Sequence, residues 1–390
     1  MKRAYLFLAV MGLAAILFVQ PAEAIPAFAR KHKLSCKTCH APFPRLKPYG
    51  EEFAGNGFVL PDDPAPRYYT DVGDDELTLI RDIPWAFRLE GFVTYNEGDS
   101  SKLDFTSPYL LKFMSGGELF PNVSYYFYFF MNERGDVAGL EDAFIMFNDV
   151  MGTGIDVTLG QFQVSDPLFK RELRLTYEDY WIYKARTGES ESSLTYDRGI
   201  MFSYGTEAGT DIVFEILNGN GIDPADEYHN YDTDKNKNYM LRISQGIGEH
   251  FRVGAFGYTG TEDQDPFENE ITMAGIDASL SFDNFELNVQ YLTRADSNPN
   301  FFLGVEHDTD TKGGFAELIY LPQGHDSKWY MVGLYNWVDS DQDDLDYRSV
   351  TLHYGYMLRR NFRLTAEVSH LSDGPYEDHA RLVLGFIAAF

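Results

Sequence analysis

The sequence is poor in cysteine, in basic residues and in long apolar runs, and each deficit excludes a class of protein. Only Cys36 and Cys39 occur among 390 residues, so no disulfide framework holds the chain together. Lysine and arginine number 32 against 60 aspartates and glutamates, and the formal net charge of −28 argues against nucleic acid as a partner. After the N-terminal region no stretch is long and apolar enough for a transmembrane helix, which argues against a helical membrane protein.

The N-terminus has the pattern of an export signal. Lys2 and Arg3 precede an apolar run from Tyr5 to Val19, which is short for a bilayer span of about 20 residues. The sequence Ala22-Glu23-Ala24 then offers small residues at both positions that a signal peptidase reads. We therefore expect residues 1–24 to be a signal peptide that is cleaved after Ala24.

The run Cys36-Lys37-Thr38-Cys39-His40 is the strongest chemical signal in the chain. Two thiols at this spacing can add to the two vinyl groups of one haem, and the histidine that follows becomes an axial iron ligand. A redox disulfide would need a βαβ surround, and a zinc site would need two further ligands at regular spacing, but neither pattern is present. The motif predicts one covalently bound haem c, with Cys36 and Cys39 as attachment points and His40 as axial ligand of the haem iron.

The second axial ligand stays open at this point. No methionine lies between the predicted signal peptide and Met114, so the small-cytochrome pattern with a methionine soon after the motif is absent. His32 belongs to the basic run 30–33, which we expect to be solvated. His353 and Met357 are weaker candidates, because alternation places both on one face of a predicted strand.

The predicted haem segment, residues 25–61, is too short to enclose a haem by itself. Fewer than about 40 residues bury too little surface for independent stability, so another part of the chain has to cover it. Between Ile25 and Gly50 the segment has basic residues and no acidic ones. Two interpretations remain open: a basic plug docked against an acidic body, or a solvated basic surface. Residues 62–84, rich in proline and aspartate near their start, are predicted to be a linker.

Residues 85–390 show the period-two alternation of β-strands. Over 285–291 and 362–369, apolar side chains alternate with polar ones, which suits strands with lipid on one side and water on the other. Short turns at 246–249, 283–284 and 359–361 alternate with long polar loops at 218–237, 294–312 and 339–346. The sequence therefore predicts an all-β fold, a transmembrane antiparallel β-barrel of about 16 strands with the haem segment lodged in its lumen.

The last strand and the outer loops carry two further signals. An apolar stripe with a terminal aromatic residue is similar to the signal by which bacterial outer-membrane barrels are recognised for insertion: Leu382, Leu384, Phe386, Ala388 and Phe390. Three predicted outer loops are acidic, with these residues: Asp223, Asp226, Glu227, Asp232 and Asp234; Glu262, Asp263, Asp265, Glu268 and Glu270; Asp339, Asp341, Asp343, Asp344 and Asp346. Carboxylates suit divalent cations such as Fe(II), but none of the loops has EF-hand spacing, and a solvated surface is the alternative interpretation.

The N-terminal motifs resemble those of a known family, the fused monohaem cytochrome–porins of bacterial outer membranes, best known as ferrous-iron oxidases. The residues that carry the resemblance are Ile25 to Arg30, Ser35 to His40, Phe43 to Leu46, Tyr49 to Phe53 and Asn56 to Phe58. The resemblance implies a barrel in outer-membrane lipid that takes electrons from extracellular Fe(II) or another redox partner. It also implies one haem c as the carrier and a periplasmic cytochrome or other electron acceptor as the partner.

Three other functions remain compatible with the sequence. The same residues serve outward electron transfer to extracellular acceptors. A solute porin with a haem-bearing plug is a second possibility, since residues 160–164 resemble a segment of anion-selective porins, although the acidic charge argues against an anion channel. A small-molecule haem enzyme such as a peroxidase is the third, and it would need an open sixth iron position.

Overall fold

The computed structural model describes most of the predicted barrel and the part of the chain around the haem motif. The described residues are 27–60, 72–74, 76–80, 83–97, 102–131, 137–232, 234–264, 266–301, 308–373 and 379–390. The predicted signal peptide, much of the predicted linker and Asp265 lie outside them.

Sixteen antiparallel strands form one closed barrel, in which sequence neighbours pair and β1 pairs with β16. The strands are β1 (Trp85–Asn96), β2 (Lys102–Phe120), β3 (Val123–Met131), β4 (Val137–Phe147), β5 (Ile155–Gln163), β6 (Tyr196–Gly205), β7 (Thr210–Leu217), β8 (Asn238–Ile247), β9 (Phe251–Gln264), β10 (Phe267–Ser281), β11 (Phe285–Asp296), β12 (Thr309–Tyr320), β13 (Trp329–Ser340), β14 (Tyr347–Arg359), β15 (Phe362–Asp373) and β16 (His379–Ala389). Closure pairs every strand on both sides and leaves no free sheet edge. The predicted barrel of about 16 strands is confirmed.

The predicted alternation decides which side chains face the lumen. On β11, Phe285 and Val289 are 48% and 38% exposed on the outside, whereas Gln290 is 2% exposed on the inside. On β15, Leu364 is 42% exposed outside and Glu367 is 1% exposed inside. The outer surface is therefore a band of apolar side chains, and polar groups line much of the interior.

The two ends of the barrel differ. Short turns, such as those between β8 and β9, β10 and β11, and β14 and β15, lie at what we call the short-turn end. The opposite, long-loop end has the connections 218–237, 297–308 and 341–346. One acidic loop was wrongly predicted: Glu262, Asp263, Glu268 and Glu270 lie in paired strands, because β9 runs on to Gln264 and β10 begins at Phe267.

The connection between β5 and β6, residues 164–195, folds into the lumen, and we call it the inner loop. Tyr180 stacks on Phe315 of β12 with ring centroids 4.1 Å apart, and Trp181 stacks on Tyr347 of β14 at 4.2 Å. Buried side chains of the inner loop and of strands between β5 and β15 form one hydrophobic cluster. This side of the lumen is therefore a packed core.

Buried polar side chains of the wall fasten the inner loop. Arg294 of β11 donates to Ser190 Oγ and to the Ser192 carbonyl, both at 2.7 Å. Glu262 of β9 accepts hydrogen bonds from the amides of Glu191 at 2.9 Å and Ser192 at 2.7 Å. Since these contacts supply partners for loop backbone that is shielded from water, the loop is held in one position.

Residues 27–60, which we call the N-terminal segment, contain two short helices, α1 (Ala27–His32) and α2 (Pro48–Gly55). The segment sits at the short-turn end, where Asn148 Nδ2 donates to the Gly55 carbonyl at 2.9 Å. Phe58 also contacts Tyr126 of β3, with ring centroids 5.3 Å apart. Among the described residues, no helix has the length and apolar character needed to cross a bilayer.

Candidate haem-binding site

The CxxCH motif forms a compact turn that is closed by backbone hydrogen bonds. Residues 36–38 make one turn of 3-10 helix, and the His40 amide donates to the Cys36 carbonyl at 2.9 Å. The chain then doubles back, so that the Lys47 amide donates to the Cys39 carbonyl at 2.8 Å. This local fold places Cys36, Cys39 and His40 on the wall of one cavity.

The cavity has a volume of about 910 Å³ and lies between the N-terminal segment, the barrel wall and the inner loop. Cofactor sites typically measure about 300–1,000 Å³ and have mostly apolar walls. Phe28, Phe53 and Phe58 form an aromatic cluster beside the motif, with ring centroids 4.9 to 5.9 Å apart. The space and the lining fit a flat, largely apolar macrocycle.

The geometry of His40 fits an axial ligand. Its Nδ1 lies 2.8 Å from the Pro44 carbonyl, so Nδ1 is the protonated nitrogen and donates this bond. The lone pair of Nε2 is then available to a metal, the arrangement in which a backbone carbonyl fixes the tautomer of a ligating histidine. Burial lowers the pKa of His40, which favours the neutral imidazole that metals require.

Both cysteines are free thiols, as covalent attachment requires. Burial raises the pKa of the Cys36 thiol, and Arg360 partly opposes this effect. At Cys39 burial also raises the thiol pKa, and Lys47 opposes it. The residues present therefore fit a haem held by Cys36, Cys39 and His40.

Gly50 allows helix α2 to pack against the motif. A Cβ atom at this position would lie 2.4 Å from the carbonyl oxygen of Cys39, a distance that no real side chain tolerates. At Gly57, with φ of +65°, a Cβ would meet Ser124 Oγ at 2.4 Å on the barrel wall. The first glycine is needed for the fold of the segment and the second for its docking.

Charge pairs support the interpretation of a basic plug docked against an acidic body. Arg45 Nε donates to Glu286 Oε1 of β11 at 3.2 Å, and a second, closer contact joins Nη2 to Oε2. Lys37 forms an exposed pair with Asp326 at 3.4 Å. The alternative of a wholly solvated basic surface holds only for exposed positions such as Lys33.

The structure separates the candidates for the second axial ligand. His32 is half-buried and lines the cavity, with its ring 5.4 Å from that of Phe53, although the basic run was predicted to be solvated. His353 lies elsewhere: Glu367 accepts from its Nδ1 at 2.9 Å, and both residues line a separate chamber of about 290 Å³. Met357 does not line the cavity.

Sequence reasoning missed the barrel residues that complete the cavity. Met114 and Met146 line it from β2 and β4, and both belong to the lumen-facing set of an alternating strand. The inner loop contributes Leu168, Phe169 and Tyr180. Strand alternation provides a signal for the methionines, whereas no sequence pattern shows that the inner loop turns inward.

The described part of the acidic loops shows no cluster of metal ligands. Within the described ranges, no three histidine, cysteine, aspartate or glutamate side chains are grouped so as to hold a metal ion. Lys235 pairs with Asp263 at 3.0 Å, and Lys237 pairs with Asp232. These loops are therefore acidic surfaces with local cationic partners.

With this geometry in place, comparisons with known proteins bear on the fold. No protein-family model matches the sequence, and no curated protein matches it. Solved structures do match. The anion-selective porin from Comamonas acidovorans is 11% identical with a TM-score of 0.61, and the match covers 79% of this chain and 99% of that one.

Two further porins match at similar levels. OmpF of Salmonella typhi, solved in complex with daunomycin, is 10% identical with a TM-score of 0.58, covering 79% of this chain and 97% of that one. OprB of Pseudomonas putida is 9% identical with a TM-score of 0.54, covering 79% and 94%. The fold is that of these porins. At such identities the likeness concerns the fold alone.

Proposed function

We propose that this chain is an outer-membrane electron-transfer protein, a porin-like barrel that carries one covalently bound haem c and oxidises extracellular Fe(II). The observation that carries the proposal is the convergence of Cys36, Cys39 and His40, whose Nδ1 is taken by the Pro44 carbonyl, on one cavity in the barrel mouth. The band of exposed apolar side chains supports a position in outer-membrane lipid, with the short-turn end in the periplasm.

A c-type haem supplies a one-electron redox centre when it is bound, and the chain supplies everything else. Cys36 and Cys39 would hold the group covalently, and His40, oriented by the Pro44 carbonyl, would ligate the iron. The aromatic cluster supplies apolar surroundings, which together with axial ligation would set the reduction potential. Each Fe(II) oxidised outside the cell yields one Fe(III) and one electron, which ends on a soluble periplasmic carrier.

Attachment of haem is tested by exporting the protein in cells that contain a c-type cytochrome maturation system. Wild-type protein is expected to retain one haem through denaturing electrophoresis, because thioether bonds survive unfolding. The Cys36→Ser/Cys39→Ser variant should lose this haem, and Thr38→Ser, within the same motif, should keep it. A wild-type barrel that folds in the presence of the maturation system and has no attached haem would refute the proposal.

A solute porin is the second candidate function, because all three neighbours named above are porins. The packed hydrophobic cluster between the inner loop and the wall argues against it, since it fills lumen that an open pore would leave to water. Planar-bilayer recordings decide between the two functions. We expect the wild-type barrel to show no steady open-pore conductance, whereas stable porin-like channels would favour the solute porin.

A further inference from the structure

Five cations lie at the short-turn end, on the N-terminal segment and at the neighbouring β12–β13 and β14–β15 turns, and we call them the basic rim: Lys37, Lys47, Lys328, Arg359 and Arg360. Contacts join Lys37, Lys47 and Arg360 into one patch. Asp326 Oδ1 lies 3.4 Å from Lys37 Nζ and 3.7 Å from Arg360 Nη2. Lys47 Nζ donates to the Lys37 carbonyl at 2.9 Å, and the Met357 amide donates to the Lys328 carbonyl at 2.8 Å.

The rim is positive although the protein is strongly acidic. The ion pairs described for the rim join Lys37 and Arg360 to one shared carboxylate, that of Asp326. The chain as a whole has a net charge of −28. The rim side chains reach solvent: Lys37 is 53% and Arg360 is 38% exposed.

The rim also adjoins the two attachment points. Lys37 lies between Cys36 and Cys39 in the chain, and the Lys47 amide donates to the Cys39 carbonyl at 2.8 Å. A protein that docks on the rim therefore comes close to the group bound at these cysteines. Short separation is what electron transfer between two proteins requires.

We propose that the basic rim is the docking surface for a soluble electron carrier with an acidic face. This inference rests on the proposed function, because a docked carrier can exchange electrons only if a redox centre is bound at Cys36 and Cys39. Complementary charge steers association and raises the association rate, and weak redox encounters rely on it more than on buried area.

A membrane surface fits the rim less well. Lys37 and Lys47 belong to the N-terminal segment in the barrel mouth, beside the cavity and not on the apolar outer band. A docked protein can cover the mouth of the barrel, whereas the lipid headgroups of the surrounding leaflet lie around the outside of the barrel. An acidic protein is therefore the occupant that the structure favours.

The test uses the full haem-loaded protein in nanodiscs of zwitterionic lipid, with two soluble probes of opposite charge, the acidic domain of cytochrome b5 and the basic cytochrome c. Dissociation constants are measured by thermophoresis at low and high ionic strength. We expect the acidic probe to bind, and raised salt to weaken binding. Lys37→Glu/Arg360→Glu should weaken it about tenfold or more.

The matched control is Lys235→Glu/Lys312→Glu, which makes the same change in net charge at exposed positions of the long-loop end. It should leave the affinity unchanged. The inference is overturned if the acidic probe does not bind, if cytochrome c binds equally well, or if both double variants behave alike. A second measurement uses nanodiscs that contain both zwitterionic and anionic lipid. The inference is also overturned if the rim variant reduces the enrichment of anionic lipid around the protein and leaves the affinity for the acidic probe unchanged. Haem content, measured on the same samples, tests the proposed function separately.

Discussion

The ion pair between Arg45 and Glu286 is expected to hold the N-terminal segment in the barrel mouth. The two side chains are 17% and 13% exposed and make two parallel contacts. Arg45 also offsets the charge of Glu317, which is 2% exposed. Breaking a buried pair by removing one partner costs about 3–5 kcal/mol, because the other charge is left without compensation. Since both side chains keep some exposure, we expect about 3 kcal/mol for Arg45→Met.

Hydrogen exchange followed by mass spectrometry measures this cost as local opening of residues 27–60. A loss of about 3 kcal/mol makes the exchange of protected amides in the segment roughly a hundredfold faster, with the barrel peptides unchanged. The control is Lys37→Met, which removes the exposed pair with Asp326 and should cost less than about 1 kcal/mol.

Glu286→Gln and the double variant complete a double-mutant cycle. We expect a coupling energy of at least about 1 kcal/mol between the two sites. Strictly additive effects, or equal effects of Arg45→Met and Lys37→Met, would show that the segment is held by its other contacts and that the reasoning is wrong.

Three further predictions follow from single side chains. Gly50→Ala should destabilise the segment by about 1–3 kcal/mol and lower the yield of attached haem, because the new Cβ meets Cys39. The control is Gly55→Ala on the same helix, where a Cβ meets nothing within 4 Å, and haem staining should show no change for it. Arg294→Met should lower the free energy of unfolding by about 3–5 kcal/mol and produce flickering conductance in bilayers, because it releases the inner loop. A variant that shows no more conductance than the wild type would contradict the anchoring role. Burial raises the pKa of Glu172, but nearby cations outweigh it and lower the pKa to about 2, so its contribution to stability is complete above pH 4.5 and declines towards pH 2. In Glu172→Gln the stability should no longer show this decline between pH 4.5 and pH 2. Wild type and variant with the same dependence of stability on pH would refute the prediction.

The barrel was predictable because its determinants are local. Alternation along β11 and β15 fixes which side chains face outward, and the short turns at 283–284 and 359–361 fix the pairing of neighbouring strands. The motif at Cys36, Cys39 and His40 was equally visible, since its three groups lie within five residues. Sequence alone therefore predicts the fold class, and it shows the motif on which the haem prediction rests.

The rest of the site depends on contacts between residues far apart in the chain. The inner loop has no pattern that distinguishes it from an outer loop, and its position is set by partners such as Arg294 and Glu262 on distant strands. The acidic hairpin at 262–270 was mistaken for a loop because charged residues are also common in strands that project from a barrel. His353 appeared to be a possible ligand until the structure placed it in a chamber separate from the cavity of Cys36, Cys39 and His40.

The central claim is tested most directly by anaerobic addition of Fe(II) to the purified, haem-loaded protein while the haem absorption bands are recorded. The account predicts rapid reduction by Fe(II), and loss of that reduction in His40→Ala although the haem stays attached through Cys36 and Cys39. A wild-type haem that dithionite reduces and Fe(II) does not would contradict the account, and would point to outward electron transfer through the same residues.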